Sequence, residues 1–163
     1  MGIGPLHIRG AGQMDSGAMA DLLNQIIDIG GTTALTDPID KAELWVWMQT
    51  PQSIWHVAED QKGVLKGFQW IEPKSGLPAD TLDISTFVRA GETGLGTGSA
   101  LFEQTKAAAR QAGARFINAV IRADNAGGLA YYQSRGFDYQ SRITDTRLRN
   151  GIVVDRIQMR FEL

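Results

Sequence analysis

Four glycines fall within residues 91–98, between a strand-like run over residues 81–88 and an amphipathic run that starts at Ser99. The first run reads as a strand and the second as a helix over residues 99–112. Glycine lacks a Cβ, so this turn can reverse sharply and bring its backbone N–H groups close to a ligand. The start of the following helix adds about half a unit of positive charge. Strand, glycine turn and helix together make a cradle suited to phosphate or pyrophosphate. A tight reversal that binds nothing would use the same residues. Two better-known phosphate motifs do not fit. No lysine lies between Lys74 and Lys106, which excludes a Walker loop, and Gly94-Leu95-Gly96-Thr97-Gly98-Ser99 misplaces the third glycine of a dinucleotide fingerprint.

The remaining chain alternates strands and helices. Residues 6–9 alternate apolar and polar as a short strand. Asp15 stands where an N-cap would, ahead of Met19, Leu22, Leu23, Ile26 and Ile27 at helical spacing, and Gly30-Gly31 closes that helix. Asp40 and Glu43 form a D-x-x-E capping box before Leu44, Trp45, Trp47 and Met48, with Pro51 as the stop. Residues 55–58 and 64–71 read as a hairpin about the turn at 61–63. In the helix at 99–112, Leu101, Phe102, Thr105, Ala108, Ala109 and Ala112 form the inward face. Residues 116–121 read as a buried strand, and 126–135 as a helix capped by Asp124 or Asn125. Finally Ile157, Met159, Phe161 and Leu163 alternate with Arg156, Gln158, Arg160 and Glu162. The order β-α-α-β-β-β-α-β-α-β-β predicts one α/β domain over residues 1–163. Its mixed sheet should be flanked by helices, antiparallel early and parallel where helices intervene.

Composition removes several classes of function. The chain has 163 residues, enough for one domain with a real core. It has no cysteine, which excludes a disulfide scaffold, thiolate metal sites and a cysteine nucleophile. With 16 basic and 18 acidic side chains the net charge is -2, unlike a dedicated nucleic-acid binder. The longest uncharged stretch, residues 44–58, includes Gln49, Pro51, Gln52 and His56, and falls short of the roughly 20 apolar residues that span a bilayer. No basic cluster precedes an apolar run at the N-terminus, so no signal peptide is read there. The expectation is a soluble, cytoplasmic protein with neither a membrane nor a nucleic-acid partner. His7 and His56 have no second ligand at metal spacing, so no metal is expected. The balanced charge conceals an asymmetry. Residues 1–88 carry 5 basic and 11 acidic side chains (net -6), residues 89–163 carry 11 and 7 (net +4). The second half is the expected host of an anionic ligand.

Three segments resemble the GCN5-related N-acetyltransferases: Phe87-Val88, the turn ending Gly94-Leu95-Gly96-Thr97-Gly98-Ser99-Ala100-Leu101, and Asn125 followed by Tyr132-Gln133-Ser134-Arg135-Gly136-Phe137. That family opens a helix with a Gln/Arg-x-x-Gly-x-Gly/Ala acyl-CoA loop. Further on it has an Asn, a Tyr seven residues later and a Gly-Phe that closes the helix. Both patterns are present here, in order and at the family's separation. Asn24-Gln25-Ile26-Ile27, Gly30-Gly31-Thr32-Thr33-Ala34 and Gly151-Ile152-Val153-Val154-Asp155-Arg156-Ile157-Gln158-Met159 are similar to a narrower branch, the phosphinothricin and methionine-sulfoximine acetyltransferases. Members of that branch acetylate small amino-acid-like amines and are commonly dimers.

The resemblance implies acetyl-CoA as co-substrate, direct transfer to the primary amine of a small acceptor, and a homodimer. Transfer without a covalent enzyme intermediate suits a chain without cysteine. Phe87 and Val88 would pair with the pantetheine arm through their backbone. Arg89, Thr93, Gly94, Leu95, Gly96, Thr97, Gly98 and Ser99 would hold the pyrophosphate, and Asn125 would bond the arm or the strand backbone. Tyr132 takes the place of the family's general acid. Asp83 is the candidate base, at the strand position where the branch carries a glutamate; Glu92 is a second candidate nearer the phosphate end. Residues 32–35 and Trp70 would shape the amine pocket. Trp45 and Trp47, two apart on one helix, cannot both face the core, so one is a candidate pocket wall or dimer surface. One departure stands out. The Gln/Arg position falls on Thr93 or, anchored differently, on Gly91, so the long polar side chain is missing and Arg89 is the candidate to replace it. Two rival readings are an acyl-CoA-binding module without catalysis and an acetyltransferase acting on protein amines.

Overall fold

The computed structural model describes residues 4–163; residues 1–3, on which the reading of the N-terminus partly rests, lie outside it. The elements are β1 (His7–Gly10), a 3-10 turn (Gln13–Asp15), α1 (Ser16–Ile29), α2 (Lys41–Met48), β2 (Ile54–Glu59), β3 (Leu65–Glu72), β4 (Thr81–Val88), α3 (Thr97–Gln111), β5 (Phe116–Arg122), α4 (Ala126–Ser134), β6 (Asp138–Arg147) and β7 (Val153–Glu162). They form one seven-stranded sheet in the order β1-β2-β3-β4-β5-β7-β6. The element order is the one read from the sequence.

The sheet is less parallel than expected. β4 and β5 are parallel, joined through α3, but the crossover through α4 does not produce a second parallel pair. Instead β7 inserts between β5 and β6 and is antiparallel to both. The alternation of β7 gives the reason. With β7 inside the sheet, Ile157 and Met159 are buried beneath α3 and α4, whereas an edge position would leave more of that apolar face in water.

Each face of the sheet has its own core. On one, α1 and α2 pack Met19, Leu22, Leu23 and Leu44 on Trp55, Val57, Phe68 and Trp70. On the other, Phe102 and Ala109 of α3 and Tyr132 of α4 pack on Ile71, Ile84, Ile117 and Ile121. Residues two apart on a strand share a face, so β4 sends Asp83, Ser85 and Phe87 toward α1 and α2, and Ile84 and Thr86 toward α3 and α4.

Two local details differ from the expectation, and a third settles an alternative. Asp15 does sit at the N-cap position, yet its carboxylate makes no cap bond to α1. It accepts from Arg9 at 2.8 and 2.9 Å and from the Gly12 N–H at 2.8 Å, tying β1 to the helix entry. Ala112 is exposed, because α3 ends at Gln111 before its inward stripe returns. The cap of α4 is Asn125, which accepts from the Gly128 N–H at 2.9 Å, since Asp124 is engaged by Arg122 at 2.9 and 2.7 Å. At α2 the expected cap is present, with Asp40 accepting from the Glu43 N–H at 2.8 Å.

Candidate active site

β4 and β5 are paired only at Thr81↔Phe116, Leu82↔Ile117 and Asp83↔Asn118. Beyond that point β4 follows β3 as far as Val88↔Gly67, while β5 follows β7 to Arg122↔Arg156. The sheet therefore opens as a V, and β4 presents an unpaired backbone edge over residues 84–88. A cleft of about 1420 Å³ occupies the opening. That exceeds the roughly 300–1,000 Å³ of a site for one small ligand, and suits two reactants meeting.

The glycine turn forms the mouth on the α3/α4 side. Gly96 is the N-cap of α3 at φ 94°, a left-handed conformation that a side chain would strain, and no side chain caps the helix. The first helical bond is Ala100 N–H to Gly96 O, so the N–H groups of Thr97, Gly98 and Ser99 have no partner within α3. The first turn contains no acidic residue. An anion fits there. Gly98 has a second role, since a Cβ on it would lie 2.7 Å from the ring of Tyr131.

Most of the residues expected to bind line the cleft: Phe87, Val88, Thr93, Gly94, Gly96, Thr97, Gly98, Ser99 and Asn125, with Asp83 and Tyr132. Leu95 and Arg89 do not. Arg89 turns its guanidinium to the Leu65 carbonyl, and Glu92 is ion-paired to Lys66 at 3.0 Å. Both therefore anchor the turn to the β2–β3 hairpin, and the Arg89 guanidinium is engaged there rather than turned into the cleft. Asn125 donates to the Thr32 carbonyl at 3.2 Å besides capping α4, and Arg122 donates to the Thr33 carbonyl at 3.0 Å. These two bonds fasten the α1–α2 loop across the cleft. On that side Trp47 joins Trp70 in the wall, their ring centroids 6.4 Å apart.

Two tyrosines on α4 meet the cleft in different ways. Tyr131 donates its hydroxyl proton to the Gly98 carbonyl at 2.7 Å. Tyr132 lies 2.8 Å from the Thr86 hydroxyl, and Gln69 donates to that hydroxyl at 2.8 Å and to Tyr131 at 3.2 Å. Burial raises both phenols, Tyr131 to about 12 and Tyr132 beyond it, so each keeps its proton at working pH.

On the opposite face, Asp83 accepts from Asn118 at 2.8 Å and from Lys74 at 3.3 Å. Asn118 in turn accepts from Gln158 at 2.8 Å. Directly across from Asp83 on β3 stands Glu72, which also lines the cleft. Burial, with the neighbouring Asp83 charge, pushes its carboxyl above the usual range. Glu72 was not singled out from the sequence; the signal was its place opposite Asp83, which only the full β3–β4 register reveals. Gln69, Thr86 and Arg122 were missed for the same reason. Among the described residues there is no group of three or more His, Cys, Asp or Glu that could hold a metal ion, and no helix long and apolar enough to cross a membrane.

The chain is similar to known proteins in sequence and in fold. The family model for the acetyltransferase (GNAT) family matches residues 21–137. The Bacillus subtilis (strain 168) protein YwnH, which carries a provisional designation as a phosphinothricin acetyltransferase, is 28% identical over 136 residues, covering 81% of this chain and 83% of YwnH. A GCN5-related N-acetyltransferase from Kribbella flavida superposes with a TM-score of 0.83 at 26% identity, over 97% of this chain and 98% of that one. A phosphinothricin acetyltransferase from Sinorhizobium meliloti, solved in complex with AcCoA, gives 0.87 at 21% identity, over 97% and 88%.

Proposed function

Because the chain belongs to the acetyltransferase (GNAT) family, we propose that it moves an acetyl group from acetyl-CoA directly to the primary amine of a small, amino-acid-like acceptor. The observation that carries this reading is the V between β4 and β5, which joins a glycine cradle on one face to a carboxylate pair on the other. The designation of YwnH supports the acceptor class, and the AcCoA complex of the Sinorhizobium meliloti protein supports the donor. The free N–H groups at the start of α3 receive the pyrophosphate, and the open edge of β4 receives the pantetheine arm as an added strand.

Within this reading the carboxylate pair draws the acceptor's ammonium to the α1/α2 face, and Glu72 or Asp83 takes its proton. The neutral nitrogen attacks the thioester carbonyl carbon, whose oxygen leans on a backbone N–H of the β4 edge. As the C–S bond breaks, Tyr132 gives its proton to the departing sulfur, and the proton lost by the attacking nitrogen as the amide forms restores Tyr132 by way of solvent. The homodimer and the cytoplasmic location belong to the same proposal. Exposed Tyr139, Ile152 and Val153 at the β6–β7 end offer apolar surface to a second copy.

A thiol-release assay with acetyl-CoA against phosphinothricin, methionine sulfoximine, common amino acids, polyamines and short peptides tests the function. Turnover with amino-acid-like amines is expected. Turnover confined to peptides would move the acceptor to protein amines, and silence with acetyl-CoA still bound would favour a binding module. The base is tested by pH. A base works only when deprotonated, so with Glu72 in that role kcat/KM falls on acidification at a pH above the ordinary glutamate range. Glu72→Gln then removes that acidic limb and slows the reaction by about 10²-fold or more. A limb unchanged in Glu72→Gln but lost in Asp83→Asn assigns the proton to Asp83.

A further inference from the structure

We propose that Gln69 and Thr86 are positioning residues for Tyr132, fixing the direction in which its hydroxyl proton points; the inference rests on Tyr132 being the acid of the transfer proposed above. The polarity of the chain of bonds as far as Thr86 follows from one carbonyl. A carbonyl oxygen only accepts, so Tyr131 must donate to Gly98 O at 2.7 Å. That spends the single proton of Tyr131 and leaves its oxygen as an acceptor. The group of Gln69 that lies 3.2 Å from it must therefore be the NH2, which fixes the amide orientation. The same NH2 donates to Thr86 Oγ1 at 2.8 Å. Thr86 has one proton of its own, and Tyr132 at 2.8 Å is the partner the structure provides for it.

In the proposed polarity Thr86 donates and Tyr132 accepts. The proton of Tyr132 is left unspent, and Tyr132 is part of the cleft wall. With the opposite polarity, Tyr132 would donate to Thr86 and its proton would be turned away from the cleft, while the proton of half-buried Thr86 would have no acceptor among the described residues. Gln69 is fully buried, and its Oε1 has no partner. An apolar side chain of similar size would serve packing better, so this residue is ill explained by stability alone. Gly98 connects the chain to the cradle, because the carbonyl that sets the polarity belongs to the turn proposed to hold the pyrophosphate.

Bound CoA reports this directly, without any acceptor. A phenol proton aimed at the sulfur favours the thiolate, so ultraviolet titration of the thiolate on bound CoA should show its ionisation constant raised about tenfold over free CoA, one pH unit. Tyr132→Phe and Thr86→Val should each abolish that shift, and Thr86→Ser, which keeps the hydroxyl, should retain it. Gln69→Met, a second variant that removes the donor without opening a large cavity, should reduce it. Turnover with phosphinothricin should fall in Thr86→Val while KM for acetyl-CoA stays within about threefold, and Thr86→Val should add nothing in a Tyr132→Phe background. If Tyr132→Phe loses the shift while Thr86→Val and Gln69→Met keep it, the positioning role is overturned and the acid remains. An equal loss from Thr86→Val in the Tyr132→Phe background also overturns it. If Tyr132→Phe changes neither ionisation nor turnover, the acid itself is wrong.

Discussion

Tyr132→Phe lowers kcat by 10²- to 10⁴-fold, the range a positioned general acid contributes, and leaves the acetyl-CoA dissociation constant within about threefold. The substitution removes one oxygen from a ring that keeps its apolar packing beside Phe137 and Tyr131. A chain that still folds and still binds the donor isolates the proton as the missing part. The comparison with Tyr131→Phe sharpens the result. The Tyr131 proton is spent on the Gly98 carbonyl, so that change should disturb the cradle and raise KM for acetyl-CoA more than it lowers kcat. Single-turnover rates and calorimetry with acetyl-CoA separate the two. Equal turnover in Tyr132→Phe and the unmodified protein rules out Tyr132 as the acid.

Gly98→Val should weaken acetyl-CoA binding by about two orders of magnitude, roughly 3 kcal/mol, and leave a folded protein. The backbone there tolerates a side chain; the space does not. A Cβ would sit 2.7 Å from the Tyr131 ring, so the ring must leave or the turn must shift. Either movement breaks the bond from Tyr131 and misdirects the free N–H groups at the start of α3. Gly96→Val reaches the same end by another route, since at φ 94° a β-branched residue strains the turn itself. Calorimetry with acetyl-CoA beside circular dichroism decides the matter, and unchanged affinity in both folded variants would remove the cradle from the site.

The strand–turn–helix unit was legible because it is local. β4 spans the residues read as a strand, and the glycines mark the turn without reference to anything distant. Asp83 and Tyr132 were found through family patterns, and they do line one cleft. What could not be read depended on register between segments far apart in the chain. Glu72 looks like an ordinary polar strand end until it is seen across from Asp83. Gln69 interrupts an apolar strand and resembles a solvent-facing residue, yet it is wholly buried with partners 17 and 62 positions away. Arg89 stood near enough to the turn to suggest an anion contact, and only the nearby Leu65 carbonyl explains where it goes. The insertion of β7 was hidden for a related reason: alternation says which side chains are buried, not which neighbours the strand acquires.

The seven strands are continuous across β4 and β5 for just three residue pairs, and above them two half-sheets stand apart. A bound pantetheine arm, hydrogen-bonded along the open edge, would supply rungs that the polypeptide leaves out. Occupancy and rigidity then become one variable. The empty protein should breathe along this seam, and the loaded one should resist unfolding in proportion to donor concentration, by RT ln(1 + [L]/Kd). Release of the spent donor is then partly a mechanical event, set by how readily the two halves part.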